Sequence, residues 1–259
     1  MNAHMNRILM FVAASILAVA LFAGVVNARN ANTAMVIKPN LENVRGFATG
    51  VSDKTYAIDG GVLFVGGPHG WVKVTTPDDI IVGAVAIDQR HPETVYVGAA
   101  NALTLYRTTD NGATWLPVPL TNDNVGGVTN IAVDSDQRLV YVGTDTAGLF
   151  RLRDVGSSMV LGGHFQLDEP VVEIAADSTG AGMVFARTPS ELYRAESYGL
   201  NWTPVKNLGG APTAVVIANT EPATVYVGTS DVGLLKSTDG LNWTPANAGL
   251  GYVPGSRLE

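Results

Sequence analysis

The stretch Thr108-Thr109-Asp110-Asn111-Gly112-Ala113-Thr114-Trp115 is a short polar turn that closes on a tryptophan. Related stretches occur at 195–202 and 237–243. A carboxylate in such a turn accepts hydrogen bonds from backbone N–H groups that otherwise lack partners, and glycine permits the positive φ that the turn requires. The tryptophan is then the first large apolar side chain of the next strand. We interpret each stretch as a turn that fastens a β-hairpin.

The three copies share a pattern of Ser or Thr, Asp, Gly and Trp. The first copy keeps all four positions, the third keeps them in a turn one residue shorter, and the second keeps only glycine and tryptophan. We expect the two tryptophans of the better copies to be buried and the two aspartates to be turn acceptors, not catalytic acids or calcium ligands. The residues given this structural role are Thr108, Asp110, Gly112, Trp115, Gly199, Trp202, Ser237, Asp239, Gly240 and Trp243.

A longer repeat surrounds these turns. Apolar runs with an aromatic anchor recur at Tyr96, Tyr141, Phe185 and Tyr226, in steps of 45, 44 and 41 residues. A second aligned run precedes each anchor, a third follows it, and the run that opens with tryptophan is the fourth. Four short strands per unit of this length are typical of a β-propeller blade. The sequence therefore predicts an all-β propeller, with no substantial helix after residue 30.

A degenerate unit precedes these four, with strands predicted at 56–59, 63–66 and 71–74. Its predicted anchor, Phe64, lies only 32 residues before Tyr96, which leaves no room for a normal outer strand. We expect about five blades within residues 48–259, preceded by a linker or ring-closing segment at 29–47. Residues 41–50 are favoured for closing the ring, the tail at 251–254 is the alternative, and closure by a partner subunit is left open.

The turns and their period resemble the Asp-box, or BNR, repeats of a large superfamily of β-propellers. The resemblance covers nearly the whole chain after its N-terminal segment. Members of this superfamily include sialidases, xyloglucan-cleaving glycosidases, sortilin-type receptor domains and photosystem II assembly factors. The resemblance implies the propeller fold, whereas function varies freely among propellers.

Residues 1–7 carry one basic residue and no acid, and the run of 19 uncharged residues that follows, 8–26, predicts a hydrophobic helix before the propeller. Val26-Asn27-Ala28 fits the small-x-small pattern for signal-peptidase cleavage after Ala28. The run is long for a signal peptide and just long enough to span a bilayer, so residues 1–28 are a cleaved signal or an uncleaved anchor. Both alternatives place the propeller outside the cytoplasm, as a secreted, periplasmic or lumenal protein.

Composition excludes several kinds of site. The chain has no cysteine, which rules out disulfides, thiolate nucleophiles and thiolate metal sites. Its formal net charge is −7, and it has no basic run interleaved with aromatic residues, so we do not expect it to bind nucleic acid. We expect neither a cofactor nor a metal, and we expect a protein or a glycan as partner.

Binding residues are best sought among positions that differ between blades, because repeated positions serve the fold. They should lie on the face opposite the boxes, in the turns between second and third strands and in the loops between blades. The candidates are His69, Trp71, Asp123, Asp145, Arg187, Glu191, Asp231, His164 and Glu169. A wider set on this face comprises Asn101, Asp78, Asp79, Asn122 and Asn124, whereas Asp88, Asp134, Asp177 and Asn219 occupy a repeated position and are interpreted as turn caps.

No hydrolase signature is complete. A glycosidase needs two carboxylates in different environments, and the spacing of acidic residues singles out no pair. The arginine cluster and the Phe/Tyr-Arg-Ile/Leu-Pro motif of sialidases are absent. We therefore expect a non-enzymatic binding or assembly-scaffold propeller, with a carbohydrate-active hydrolase as the alternative. Two or more carboxylates beside an aromatic side chain, on the face opposite the boxes, would favour the hydrolase.

The first testable prediction concerns export. Residues 8–26 should direct the chain out of the cytoplasm, and cleavage after Ala28 would leave Arg29 as the first residue. N-terminal sequencing and intact mass of the protein from envelope fractions distinguish the two alternatives. A membrane-bound protein that retains residues 1–28 establishes an anchor, and a protein found in the soluble cytoplasmic fraction contradicts both.

Overall fold

The computed structural model describes residues 43–50, 54–67, 70–77, 80–122, 125–177 and 182–250. These residues contain twenty β-strands and no α-helix. The strands form five antiparallel sheets of four strands each, in chain order within every sheet. The predicted all-β propeller of five blades is confirmed.

Each blade comprises four consecutive strands, numbered here along the chain. Blade 1 contains β1 (Val44–Thr49), β2 (Thr55–Asp59), β3 (Val62–Gly67) and β4 (Gly70–Lys73). Blade 2 contains β5 (Val82–Ile87), β6 (Val95–Ala99), β7 (Thr104–Thr108) and β8 (Leu116–Pro119). Blade 3 contains β9 (Val128–Asp134), β10 (Leu139–Thr144), β11 (Leu149–Asp154) and β12 (Met159–Phe165). Blade 4 contains β13 (Glu173–Ala176), β14 (Val184–Arg187), β15 (Leu192–Glu196) and β16 (Asn201–Pro204), and blade 5 contains β17 (Pro212–Ala218), β18 (Thr224–Thr229), β19 (Gly233–Ser237) and β20 (Thr244–Pro245).

Each blade presents two different rows of side chains, one on each face, because successive residues of a strand point to opposite faces. We call the row that faces the following blade the forward row. In blade 3 it is Ala132, Tyr141 and Arg151, which are paired across β9, β10 and β11. The same positions are Ala86–Tyr96–Arg107 in blade 2 and Ala175–Phe185–Arg194 in blade 4. The predicted anchors are therefore the central residues of the forward rows.

The opposite face of each blade carries an apolar backward row, which packs against the forward row of the preceding blade. Ile131, Val142 and Phe150 form this row in blade 3, and they share a core with Ala86 and Tyr96 of blade 2. Equivalent cores lie between blades 1 and 2, 3 and 4, and 4 and 5. Burial of apolar area between sheets, at roughly 25 cal/mol per Å², is thus the main term that holds the blades together.

The anchors and arginines of the forward rows also bind the turns of the following blade. Arg107 Nε donates to Asp154 Oδ2 over 2.6 Å, and Tyr96 Oη donates to the same oxygen over 2.6 Å. One blade further on, Arg151 Nε and Tyr141 Oη donate to the carbonyl oxygen of Tyr198, over 2.6 and 3.0 Å. In blades 3 and 4, the turn between third and fourth strands therefore joins its own hairpin and also latches its blade to the preceding one.

The predicted burial of the box tryptophans is wrong in degree. Trp115 and Trp243 are only partly buried, because they open the outer strand of each blade, at the rim of the propeller. They still pack against the cores of the preceding interfaces. Trp115 also crosses between blades, since its Nε1 donates to the carbonyl oxygen of Thr75 over 2.8 Å.

The strands of blade 1 differ from the sequence assignment. The predicted anchor Phe64 lies in β3, and Tyr56 in β2 occupies the anchor position, 40 residues before Tyr96. Residues 44–49 supply the inner strand, so the blade has all four strands, including the outer one. The error arose because Tyr56-Ala57-Ile58-Asp59 imitates the first strands of the later blades. The propeller accordingly begins before residue 48.

The predicted closure of the ring by residues 41–50 is not what the described residues show. Residues 44–49 pair with β2 inside blade 1 instead of with the last blade. The inner strands pack in the succession β1, β5, β9, β13 and β17, and within the described ranges β17 makes no comparable packing with β1. The alternative closing segment at 251–254 lies outside the described residues.

The second testable prediction concerns the latch between blades 2 and 3. Asp154→Ala leaves the guanidinium of Arg107 buried without its carboxylate, and loss of one member of a buried ion pair costs about 3–5 kcal/mol. Denaturant titration measures the free energy of unfolding. Asp110→Ala is the matched control, because Asp110 is exposed and binds only within its own turn. Equal losses for the two variants would contradict the latch.

Candidate functional site

The outer strands of the blades form the rim of the propeller, and each leaves one row of backbone N–H and C=O groups without a strand neighbour. Proline blocks such an edge because it has no N–H and cannot continue a ladder. The outer strands of blades 2, 4 and 5 contain proline at positions 117 and 119, 204 and 245, and that of blade 1 ends on Lys73. Four of the five edges are therefore protected against pairing with another chain.

The fifth edge, β12 of blade 3, lacks this protection. Its sequence is Met159-Val160-Leu161-Gly162-Gly163-His164-Phe165, with neither proline nor an acidic or lysine side chain. It has seven residues, whereas the other outer strands have four or fewer. Val160 and Leu161 are each about half exposed. Apart from a β-bulge at Gly162, this edge is long, apolar and free of blocking side chains, which is the geometry that accepts an additional strand.

A groove of about 260 Å³ runs beside β12, between blades 3 and 4. One wall is the C-terminal half of β12, and the other is the turn from Gly199 to Trp202 of blade 4. Phe165 and Trp202 stack across it with ring centroids 5.9 Å apart. Tyr193 extends the aromatic row by an edge-to-face contact with Phe165 at 5.6 Å. The groove thus offers aromatic surface directly beside a free strand edge.

Arg151 supplies the positive charge of this groove. It is buried, and its Nε is occupied by the carbonyl oxygen of Tyr198. Gly162 allows it to lie there, because a Cβ at this residue would be 2.7 Å from Arg151 Nη1. The glycine therefore brings the backbone of β12 against the guanidinium. A group that binds in the groove would meet aromatic rings and a fixed cation.

The intact boxes use their carboxylates within the turn. Asp110 Oδ1 accepts from the backbone N–H of Thr114 over 2.8 Å and from Thr108 Oγ1 over 2.6 Å. The hydrogen bonds from Thr108 and Thr114 lower the pKa of Asp110 to about 2. Asp239 is held in the same way by Asn242 and Leu241, whose backbone N–H groups lower its pKa. Both groups are committed to the turns.

Several of the predicted binding residues secure loops on the opposite face. Asp145 Oδ1 accepts from the backbone N–H of Gly127 over 2.7 Å, which joins the loop between blades 2 and 3 to a turn of blade 3. Arg187 Nε donates to Glu173 over 3.0 Å, and its Nη1 donates to the carbonyl oxygen of Pro212 in blade 5. Asp231 accepts from Ser230 Oγ over 2.9 Å. These contacts are structural ties between neighbouring segments.

Glu169 and Glu191 lie together near Tyr193, on the third strand of blade 4. Glu169 accepts from the hydroxyl and the backbone N–H of Ser190, and hydrogen bonds from Thr188 and Ser190 lower its pKa. Glu191 accepts from the hydroxyl of Tyr193. Desolvation, followed by the hydrogen bond to Glu191, raises the pKa of Tyr193 to about 12. This hydroxyl is therefore a donor that keeps its proton.

The remaining predicted binding residues are dispersed. His164 lies on β12, where it stacks on Phe150 at 4.2 Å and donates through Nε2 to the carbonyl oxygen of Ala147. Trp71 lies on the outer strand of blade 1 and covers Gly66. His69 and Asp123 lie outside the described residues. Among the predicted binding residues that the structure describes, only His164 lines the groove.

Sequence reasoning missed the main components of the groove. Trp202 is predicted only as part of a structural turn, and neither Arg151 nor Val160 and Leu161 on the adjacent strand edge are among the predicted site residues. The signal that could have found them is the absence of proline and lysine from the fourth strand of blade 3. That absence is visible only when the outer strands of all blades are compared.

Comparison with solved structures gives several propellers of similar fold. YCF48 bound to a D1 peptide superposes with a TM-score of 0.59 at 14% identity, over 85% of this chain and 74% of that one. The GH74 xyloglucanase from Xanthomonas campestris gives 0.58 at 16% identity, over 81% of this chain and 39% of that one. The extracellular domain of a hybrid two-component system from B. thetaiotaomicron gives 0.57 at 17% identity, over 75% of this chain and 27% of that one.

The fold shared with these structures is the β-propeller. The chain spans about a quarter of the bacterial extracellular domain and well under half of the xyloglucanase. No protein-family profile and no curated protein matches the sequence. The structural neighbours of this propeller include a glycoside hydrolase, an extracellular domain and a peptide complex, so they establish the fold and not one activity.

Two features are absent from the described residues. No helix there has the length and apolar character needed to cross a bilayer, and the run at 8–26 lies outside them. No group of three or more His, Asp or Glu side chains in this part of the chain is arranged to hold a metal ion.

Proposed function

We propose that this Asp-box propeller is a non-enzymatic scaffold outside the cytoplasm, and that it binds an extended segment of a partner protein along β12. The observation that carries the proposal is the unprotected edge of blade 3 among four protected ones. Main-chain hydrogen bonds to such an edge supply affinity, and pockets for alternate side chains supply specificity. The groove beside β12 is placed to receive those side chains.

The chemistry of the groove favours a particular kind of segment. Phe165, Trp202 and Tyr193 provide aromatic contact area, and aromatic side chains dominate the energetics of protein interfaces. Arg151 provides a buried cation that matches a carboxylate, such as an acidic side chain or a chain terminus. We infer a segment with an apolar or aromatic side chain near an acidic group. YCF48, a structural neighbour, is likewise recorded with a bound peptide.

Location outside the cytoplasm rests on the segment at 8–26, and it agrees with the extracellular domain among the structural neighbours. An exposed apolar edge of this kind would be hazardous without a regular partner, because unpaired edges promote aggregation. Four outer strands carry a protecting proline or lysine and one does not. We infer that this one edge is left open because a partner uses it.

The alternative function, a carbohydrate-active hydrolase, draws on one observation. Glu169 and Glu191 do meet an aromatic residue, Tyr193, on the face opposite the boxes. A glycosidase needs one carboxyl group whose pKa is raised so that it can act as the acid. The pKa of Glu169 is lowered, and Tyr193 keeps its proton. Assay of the purified chain on a panel of oligosaccharides tests this alternative, and hydrolysis that Glu191→Gln abolishes would establish it.

The third testable prediction uses two equivalent leucines. Leu200 and Leu241 occupy the same position after the glycine of two boxes, and both are more than half exposed, but only Leu200 lines the groove. Peptides selected from a displayed random library against the full chain would serve as the probe. Leu200→Asp should weaken peptide binding by about tenfold or more, since it places a charge in an apolar contact.

Leu241→Asp is the matched control and should leave affinity unchanged. Fluorescence anisotropy of labelled peptides measures the dissociation constants, and calorimetric melts confirm that both variants are folded. Equal binding by the two variants would contradict a site in the groove. Failure to select any peptide would contradict the proposed function itself.

A further inference from the structure

Each of the two end blades leaves exposed part of a face that the internal blades bury. Four forward rows and four backward rows of the chain meet in pairs, between blades 1 and 2 through to blades 4 and 5. The forward row of blade 5 and the backward row of blade 1 have no such partner within the described residues. Strand pairing identifies the residues of both rows, so the exposure of each can be compared with that of the residue at the same position of an internal blade.

The forward row of blade 5 is Val216, Tyr226 and Lys236, which are paired across β17, β18 and β19. Val216 is 42% exposed, whereas Ala86 at the same position of blade 2 is 8% exposed. Tyr226 is partly exposed, although the other anchors are buried. Lys236 is exposed, whereas Arg107 and Arg151 at its position are buried. This face therefore resembles the face of an internal blade in composition, but no neighbouring blade covers it within the described residues.

The backward row of blade 1 is Phe47, Ala57 and Phe64, which are paired across β1, β2 and β3. It matches Ile131, Val142 and Phe150 of blade 3 position by position. Ala57 and Phe64 are buried, but Phe47 is 46% exposed, whereas Ile131 is 8% exposed. The part of this row that lies open is its inner end, on β1. The inner end of the blade 5 row, at Val216, is open as well.

We infer that these two faces bind each other between molecules, so that a second copy of this chain places its blade 1 on blade 5. One face is a forward row and the other is a backward row, and this pairing builds the four interfaces between the described blades. The contact joins two different faces, so it is heterologous and propagates head to tail until it closes. Large exposed apolar side chains at both faces supply the driving force.

Two single variants test the contact, because each blocks one of the two faces. Phe47→Asp blocks the blade 1 face, and Val216→Asp blocks the blade 5 face. The full chain would be purified in a mild detergent, which keeps residues 8–26 in solution, and its mass would be followed by analytical ultracentrifugation over a range of concentrations. We expect concentration-dependent association of the unaltered chain, weakened by about tenfold or more in each variant.

Mixing the two variants gives the decisive result. Each retains the face that the other has lost, so an equimolar mixture should form a heterodimer and nothing larger. Val125→Asp, in an exposed loop between blades 2 and 3, is the control and should associate like the unaltered chain. Calorimetric melts establish that each variant is folded.

Three outcomes would overturn the inference. An unaltered chain that stays monomeric shows that the two faces are covered within one molecule. Variants that associate as strongly as Val125→Asp show that association occurs elsewhere, for example through residues 8–26. A mixture that forms no heterodimer shows that the two faces do not bind each other.

Discussion

The interface between neighbouring blades is the constraint on which the structure depends. A four-stranded sheet with apolar residues on both faces cannot hide them alone, so each blade must be covered on two sides. Neighbouring segments approach each other so closely at some backbone positions that only glycine fits there. A Cβ at Gly98 would lie 2.2 Å from Val128 Cγ1 of the next blade, and one at Gly143 would lie 2.6 Å from Val171 Cγ1. Gly98 and Gly143, which end two of the repeated Val-Tyr-Val-Gly runs, are therefore packing requirements.

The same constraint explains why the Asp-boxes serve the fold. In blades 3 and 4, the turn between the third and fourth strands contacts the anchor and the arginine of the preceding blade. In blade 3 the box pattern has decayed, yet Asp154 keeps the carboxylate that receives Tyr96 and Arg107. In blade 4 the aspartate is gone, and a backbone carbonyl oxygen at Tyr198 replaces it. The contact between blades persists while the residues that make it change, which leaves function free to develop at the rim.

The fold could be predicted from the sequence because its signals are repeated. The anchors at 96, 141, 185 and 226 and the boxes reinforce one another, and each misread unit is corrected by its neighbours. Blade 1 stands at an end and has no box, so the register of Tyr56 and Phe64 was set by local similarity alone and was wrong. The groove could not be predicted, because Arg151 and Trp202 occupy repeated positions whose equivalents serve packing.

The predicted binding residues stay a prediction, and the structure gives several of them a structural role. Polar residues that differ between blades, such as Asp145, Arg187 and Glu169, differ because the loops that they tie have different lengths and paths. Variation between repeats therefore indicates local loop structure as often as it indicates a site. What distinguishes β12 is a missing feature, the proline or lysine that protects the other edges, and a search for functional residue types does not detect it.

Hydrogen exchange of the full chain with and without a selected peptide tests the central claim most directly. If a partner segment adds a strand to blade 3, backbone amides of Met159–Phe165 should exchange more slowly in the complex, because main-chain hydrogen bonds then cover the edge. The proline-containing outer strands at 116–119 and 244–245 should exchange as before. Protection that appears on the turns opposite the boxes, with β12 unchanged, would contradict the account.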